Sequence, residues 1–140
     1  MRVVADTNIV VSGLLWHGPP RRVMEAAREG SIQLITCGQL LVELEDVLGR
    51  EKFLNRLQPL GITPHELVVG YGALASVIPV LKIPQVIEDD PDDDVVLACA
   101  VDGNADAIVS GDSHLLSLSQ FQAVRVYRAV ELLNVIAASE

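Results

Sequence analysis

Three aspartates in this chain stand where a strand is predicted to end or a helix to begin, and a glutamate lies one turn into another predicted helix. They are Asp6 in RVVADTN, Glu43 in QLLVELEDVL, Asp93 in DDPDDDVVLACA and Asp112 in AIVSGDSHLL. If folding brings these carboxylates together, their like charges repel, and a cation or a raised pKa must neutralise the cluster. Carboxylate oxygens are ligands that suit Mg²⁺ and Mn²⁺. The sequence therefore predicts a divalent-metal site.

The elements that must position these acids alternate between strands and helices. Short apolar runs predict five strands, at residues 2–5, 32–36, 77–80, 107–110 and 124–127. Helical spacing and end signals predict helices at residues 8–16, 21–28, 38–48, 51–57, 64–75, 95–102, 114–118 and 129–138. Pro79 interrupts the third strand and predicts that it lies at a sheet edge. This alternation predicts a three-layer α/β/α domain with a mainly parallel, about five-stranded central sheet.

In an open parallel sheet, ligands bind beyond the carboxyl ends of the strands, where the strand order reverses. Asp6 follows the first predicted strand and Asp112 the fourth, so the two carboxylates lie side by side if those strands are neighbours. Asp93 or Asp94 is expected to cap the helix that leads into the fourth strand, and Glu43 lies about one turn into another helix. A metal held there can activate water and stabilise charge on phosphorus. Phosphodiester hydrolysis uses both effects.

Length and composition set the broad class of protein. With 140 residues, half of them apolar, the chain is expected to form one domain, residues 1–140, with a single sizeable core. The longest apolar run, residues 95–101, is far shorter than the ~20 residues of a membrane span. No secretory signal is recognisable, and the two cysteines, Cys37 and Cys99, lack metal-ligand spacing. We expect reduced thiols and a cytoplasmic protein that does not contact a membrane.

The formal net charge of −9 argues against a nucleic-acid substrate without excluding one. Nucleic-acid-binding proteins usually present a basic surface, whereas this chain has 10 Lys and Arg against 19 Asp and Glu. Much of the excess is local, because six acids fall within residues 88–94, and bound divalent ions would offset part of it. The basic residues form two modest groups, within residues 21–28 and 50–56.

Three segments together resemble the PIN-domain ribonucleases, which include the VapC-type toxins of toxin–antitoxin pairs. They are VVADTNIVVSGLL, LVELEDVLGREKF and DDPDDDVVLACAVDGNADAIVSGDSHLL, in the family's order and spacing. The resemblance implies an α/β/α fold and cleavage of single-stranded RNA with Mg²⁺ or Mn²⁺ held by four acids. It also implies a homodimer and a small antitoxin protein as partner, although single copies without an antitoxin exist.

Matched position by position, the family's four acids correspond to Asp6, Glu43, Asp93 and Asp112, which the resemblance implies are both catalytic residues and metal ligands. Asp90 resembles an extra acid that some relatives carry. Asn8 and Ser110 match polar positions that support the first and fourth acids. One position departs from the family, since His114 stands where relatives often carry an aspartate. This departure implies that His114 either weakens a second metal site or serves as a proton donor.

Simpler interpretations stay open beside the metal-dependent endoribonuclease that we predict. Asp6 alone could be a helix N-cap, a common role for aspartate. Glu43 could be a solvated helix residue, with Glu45 as its competitor for the site. The whole chain could also be a PIN-fold module that binds nucleic acid or protein and has lost efficient catalysis, an alternative that His114 and the negative charge motivate.

Overall fold

The strands of this computed structural model, which describes residues 1–83 and 91–139, form one mainly parallel sheet. Within those residues it has six strands in the order β3-β2-β1-β4-β6-β5. They are β1 Arg2–Ala5, β2 Gln33–Cys37, β3 Ser76–Ile78, β4 Ala107–Val109, β5 Gln120–Phe121 and β6 Val124–Tyr127. All neighbours are parallel except β5 and β6. The five predicted strands are present, β3 is an edge strand as expected, and β5 is an addition.

Eight helices connect and cover these strands in the described part of the chain. They are α1 Thr7–Leu15, α2 Pro19–Arg28, α3 Gly38–Leu48, α4 Glu51–Leu57, α5 Pro64–Leu74, α6 Pro91–Asp102, α7 Ser113–Leu118 and α8 Ala129–Ala138. Local chemistry explains several of the boundaries. Asp6 caps α1, and Thr63 caps α5 by accepting a hydrogen bond from the Glu66 amide at 3.2 Å. Proline occupies the first position of α2 and α5, where its missing N–H is harmless.

The start of α6 differs from the prediction. We expected Asp93 or Asp94 to cap a helix beginning at Val95, but α6 begins at Pro91. Proline is well suited to a first helical position, so the helix starts earlier and both aspartates lie inside it. Asp93 is therefore a residue of the first turn and not the N-cap.

Successive side chains of a strand point to opposite faces of the sheet, so the strands contribute to two separate hydrophobic cores, one on each face. Val3 and Ala5 of β1 pack with α1, α2, α3 and α8 on one face, whereas Val4 packs with α6 and α7 on the other. This gives the predicted three layers, with helices on both sides of the sheet. Cys37 and Cys99 are free and buried in the second of these cores. No helix in residues 1–83 or 91–139 is long and apolar enough to cross a membrane.

The centre of the sheet is where its strand order reverses. β1 pairs with β2 on one side and with β4 on the other, and Ala5 lies opposite Val109. The ladder continues one residue further, because the Asp6 amide donates to the Val109 carbonyl at 3.1 Å. The carboxyl ends of β1 and β4 are therefore neighbours, which is the arrangement on which the sequence-based prediction of a shared site depended.

Candidate metal centre

A cavity of about 180 Å³ opens beside the carboxyl ends of β1 and β4. Its lining includes all four of the acids singled out in the sequence, each from a different part of the chain. The lining residues are Asp6, Thr7, Asn8, Glu43, Val47, Arg50, Asp93, Val96 and Asp112. The fold thus brings together carboxylates that are up to 106 positions apart in the sequence (112 − 6).

Asp6 is held rigidly between β1 and α1. Its Oδ1 accepts a hydrogen bond from the Ile9 amide at 3.0 Å, and its Oδ2 accepts one from the Ser110 hydroxyl. Only 6 % of the residue is exposed. Burial raises the pKa of this carboxyl above its ordinary value of 3.8, and the nearby charge of Asp112 adds to the rise. The hydrogen bonds oppose that shift without cancelling it. Asp6 is thus both a helix cap and a buried acid on the cavity wall.

Ser110 links the two strand ends on which the site is built. Its fully buried hydroxyl donates to Asp6 and accepts from the Asp112 amide at 2.9 Å. One small side chain therefore sets the relative position of the carboxylates that follow β1 and β4. The supporting role expected for Ser110 stays a prediction, for which this placement is suitable. Asn8, the other supporting residue expected, lines the cavity with an exposed side chain.

Asp112 caps the short helix α7. Its Oδ1 accepts hydrogen bonds from the His114 amide at 2.8 Å and from the Leu115 amide at 3.3 Å. The side chain remains 28 % exposed and lines the cavity. Capping and a site role are compatible here, because a carboxylate has more lone pairs than the two amides occupy.

Asp93, rather than Asp94, lines the cavity. Its side chain is 9 % exposed on the first turn of α6, the helix that precedes β4. Asp94 is also buried but does not line the cavity. The choice of Asp93 from the sequence is consistent with this geometry. The prediction for Asp90 lies outside the described residues.

One face of α3 supplies the far wall of the cavity. Glu43 and Val47 are spaced at i and i+4, so they project from the same side of α3, and Arg50 lines the cavity from just beyond the end of that helix. Glu43 is half-buried there. Glu45, its competitor, is exposed and its Oε1 lies 2.9 Å from the Nδ1 atom of His65. Geometry thus favours Glu43 over Glu45.

His114 lies beside two of the acids. Its Nδ1 atom is 3.8 Å from Oδ2 of Asp93 and 3.8 Å from Oδ1 of Asp112. About half of the imidazole is exposed. His114, which departs from the family pattern, is therefore close enough to the two carboxylates to bind the same metal ion.

Two polar residues of the cavity were not singled out from the sequence. Thr7 lies next to Asp6, is 7 % exposed, and its hydroxyl has no hydrogen-bond partner among the described residues. Arg50 is exposed, and its guanidinium makes no hydrogen bond or ion pair with another described residue. No local sequence signal was available for Arg50, because it lies beyond the end of α3 and its position depends on where that helix docks. For Thr7, adjacency to Asp6 was the signal, but neighbours at the start of a helix usually point apart.

The donor set fits a divalent cation. The ligand atoms of Asp93, Asp112 and His114 all lie within 4.8 Å of one another. Asp6 adds a buried carboxyl whose pKa is raised in the absence of a counter-charge. A cation would neutralise the crowded acids and give the buried Thr7 hydroxyl or a water a polar neighbour. The arrangement can therefore hold a metal beside a cleft that is open to a phosphate group.

Comparisons with known proteins point to one family and one fold. A model of the PIN domain matches residues 2–114, a range that contains all four acids of the cavity. No curated protein shows a significant match to the chain. Among solved structures, the chain is similar to one in the crystal structure of VapBC2 from Rickettsia felis bound to a DNA fragment from their promoter. The TM-score is 0.59 at 13 % identity, over 91 % of this chain and 98 % of that chain.

Proposed function

This chain belongs to the PIN-domain family, and from that premise we propose that it is a metal-dependent endoribonuclease. It hydrolyses phosphodiester bonds in single-stranded RNA and acts in the cytoplasm as the toxin of a toxin–antitoxin pair. The family as a whole consists of nucleases. The observation that carries the proposal is the meeting of Asp6, Glu43, Asp93 and Asp112 at one cavity.

Each acid has a defined part in the proposed reaction. Asp6, Asp93 and Asp112 hold Mg²⁺ or Mn²⁺, and Glu43 completes the ligand shell or orients the attacking water from α3. When bound, the ion supplies positive charge to the phosphate oxygens and acidifies water in the site. Ser110 keeps Asp6 and Asp112 in register, which is the role of an outer partner of metal ligands.

Arg50 is the residue we assign to the substrate's phosphate. Its side chain lines the acidic cavity while making no hydrogen bond or ion pair within the described chain. A guanidinium in that position can bind two phosphate oxygens at once and hold the RNA backbone against the acids. It also answers part of the objection raised by the net charge of −9, because it places a positive charge at the cavity itself.

The proposed partners are a small antitoxin and a second copy of this chain. The similar chain in the VapBC2 structure comes from a complex bound to promoter DNA, which supports an antitoxin by analogy. The net charge of −9 favours a basic protein partner, as a small DNA-binding protein would be. The homodimer rests on family resemblance.

A pair of matched variants tests the nuclease. Glu43→Gln removes a charge from the cavity, and Glu45→Gln removes the same charge two residues away on the exposed side of α3. We expect the rate of cleavage of a labelled single-stranded RNA to fall at least about a hundred-fold in Glu43→Gln, because the variant lacks the carboxylate that binds the ion or the attacking water. A hundred-fold fall in rate corresponds to roughly 3 kcal/mol of transition-state stabilisation. Glu45→Gln should cleave at the wild-type rate.

The same assay separates the nuclease from the binding module. Cleavage should require Mn²⁺ or Mg²⁺ and stop when a chelator is added. Cleavage that persists in a chelator, or full activity in Glu43→Gln, would contradict the mechanism. A wild-type protein that binds RNA or a protein partner but cleaves nothing with either ion would favour the alternative of a PIN-fold binding module.

A further inference from the structure

The imidazole of His114 lies close to two acids of the cavity. Its Nδ1 atom is 3.8 Å from a carboxylate oxygen of Asp93 and 3.8 Å from one of Asp112. Its backbone amide donates to the same Oδ1 of Asp112 at 2.8 Å. The imidazole is therefore attached to the turn that carries one of the acids, and its position is set together with that acid.

The distances are close to those that a shared ion requires. Two ligand atoms that each lie roughly 2.2 Å from an ion are roughly 3.1 Å apart when adjacent and 4.4 Å apart when opposite. The three ligand atoms of Asp93, Asp112 and His114 lie within 4.8 Å of one another. Both distances from His114 Nδ1, 3.8 Å to Asp93 and 3.8 Å to Asp112, lie between these two values.

A second observation at the same cavity also points to a ligand. Thr7 lines the cavity and is 7 % exposed, and its buried hydroxyl has no hydrogen-bond partner among the described residues. Leaving a buried hydroxyl unpaired is energetically unfavourable, so such groups normally face water or a bound species. An ion with its water shell in the cavity would supply that partner.

We propose that Asp93, Asp112 and His114 form a mixed oxygen and nitrogen site that selects a divalent transition metal over Mg²⁺. Mg²⁺ favours an all-oxygen shell, whereas imidazole nitrogen is a ligand for first-row transition metals. This inference rests on the proposed function and refines it by naming the class of ion. In this proposal His114 is a metal ligand. It is neither a proton donor nor a substitution that weakens a metal site.

The test uses the full chain, freed of metal and then loaded with Mn²⁺ alone. Electron spin-echo envelope modulation of bound Mn²⁺ reports directly whether a nitrogen is coordinated, independently of any activity. The variants are His114→Ala and His114→Asp, and His65→Ala is the control, because His65 is an exposed histidine that contacts Glu45 and not the cavity. Thermal melts of the variants check that each one folds.

We expect nitrogen modulation in the wild type and in His65→Ala, and none in either His114 variant. Calorimetric titrations should show that His114→Asp lowers the preference for Mn²⁺ over Mg²⁺ at least about tenfold. Modulation that survives in His114→Ala, or bound Mn²⁺ without modulation in the wild type, would overturn the inference and leave the nuclease standing. A wild type that binds no Mn²⁺ and cleaves no RNA would remove both.

Discussion

Replacing Asp6 by asparagine separates the chemistry of this residue from its structural role. The carboxylate caps α1 through the Ile9 amide and accepts a hydrogen bond from the buried hydroxyl of Ser110. Asparagine keeps an oxygen for the Ile9 amide and offers an NH₂ group to Ser110, but it carries no charge for a metal. Alanine removes both hydrogen bonds as well as the charge. The two variants therefore differ in stability while sharing the loss of the charge.

The magnitudes follow from these contacts. Asparagine and aspartate are about equal as N-caps, and exchanging a charge-assisted hydrogen bond for a neutral one costs about 1 kcal/mol. Loss of the buried charge, and of its repulsion by Asp112, offsets that cost. We expect the free energy of unfolding of Asp6→Asn to lie within about 1 kcal/mol of the wild type. For Asp6→Ala, the lost cap and the unpaired Ser110 hydroxyl should cost about 2–3 kcal/mol.

Thermal denaturation and an RNA cleavage assay read out the two effects. In a domain of this size about 1 kcal/mol shifts Tm by roughly 4 °C, so the two variants should melt at clearly different temperatures. Both should lose cleavage by at least about a hundred-fold, since a metal ligand supplies several kcal/mol. Full metal-dependent cleavage by Asp6→Asn would refute the assigned role of Asp6. Equal destabilisation of both variants would refute the account of its hydrogen bonds.

The pKa of Asp6 adds a dependence on pH with a definite sign. Burial raises the pKa of this carboxyl in the folded state above its ordinary value of 3.8. The contribution of Asp6 to stability is therefore complete below that ordinary value and is lost as the pH rises through the folded-state pKa. In metal-free protein, wild type should lose stability relative to Asp6→Asn as the pH increases from about 4. Saturating Mn²⁺ should restore the wild type only, because only it binds the ion tightly.

Three further variants probe the cavity and the core. Arg50→Gln should weaken RNA binding and reduce the slope of log affinity against log salt concentration by about one, the value expected for the loss of one phosphate contact. The matched change Arg22→Gln lies on a different surface and should alter neither quantity. Binding titrations at several salt concentrations measure both. Ser110→Ala removes a fully buried hydroxyl from between two acids, and calorimetry should show about 10–100-fold weaker metal binding; unchanged affinity would contradict its positioning role. Gly103→Ala would place a Cβ atom 2.9 Å from a backbone oxygen, and denaturation should show that the free energy of unfolding falls by about 1–3 kcal/mol. In Gly72→Ala the nearest contact of the new Cβ atom is at 3.8 Å, so this control should leave the free energy of unfolding unchanged or raise it.

The local signals of the sequence were sufficient for the elements that carry Asp6 and Asp112, but not for the start of the helix that carries Asp93. Asp6 directly follows a short apolar run and precedes a helix, which is the pattern of both a strand end and an N-cap. Asp112 repeats that pattern after β4. Because parallel strands end at the same edge of a sheet, the sequence alone predicts that these two positions share one edge. The sequence left the adjacency of the two strands as a condition, and the direct pairing of β1 with β4 meets that condition.

The misses have physical causes that local patterns do not contain. β5 has two residues, Gln120 and Phe121, and its tight turn to β6 places Gln122 at a φ of 53° without a glycine to announce it. β5 is stabilised by pairing with β6, so its formation depends on that neighbouring strand and not on the amino-acid composition of β5 itself. Likewise Arg50 stands beyond the end of α3, and its position at the cavity depends on where that helix docks.

Because β1 lies at the middle of the sheet, its second neighbour is made from a segment about a hundred positions later. A ribosome-bound chain that has emerged only as far as residue 100 has Asp6 and Glu43 but neither β4 nor the Ser110 hydroxyl that fixes Asp6. Such long-range pairing forms only after the segment that makes β4 is available. If the proposed function is correct, the cavity lacks Asp112 and the Ser110 contact to Asp6 until that segment has been synthesised, so we expect no cleavage before then.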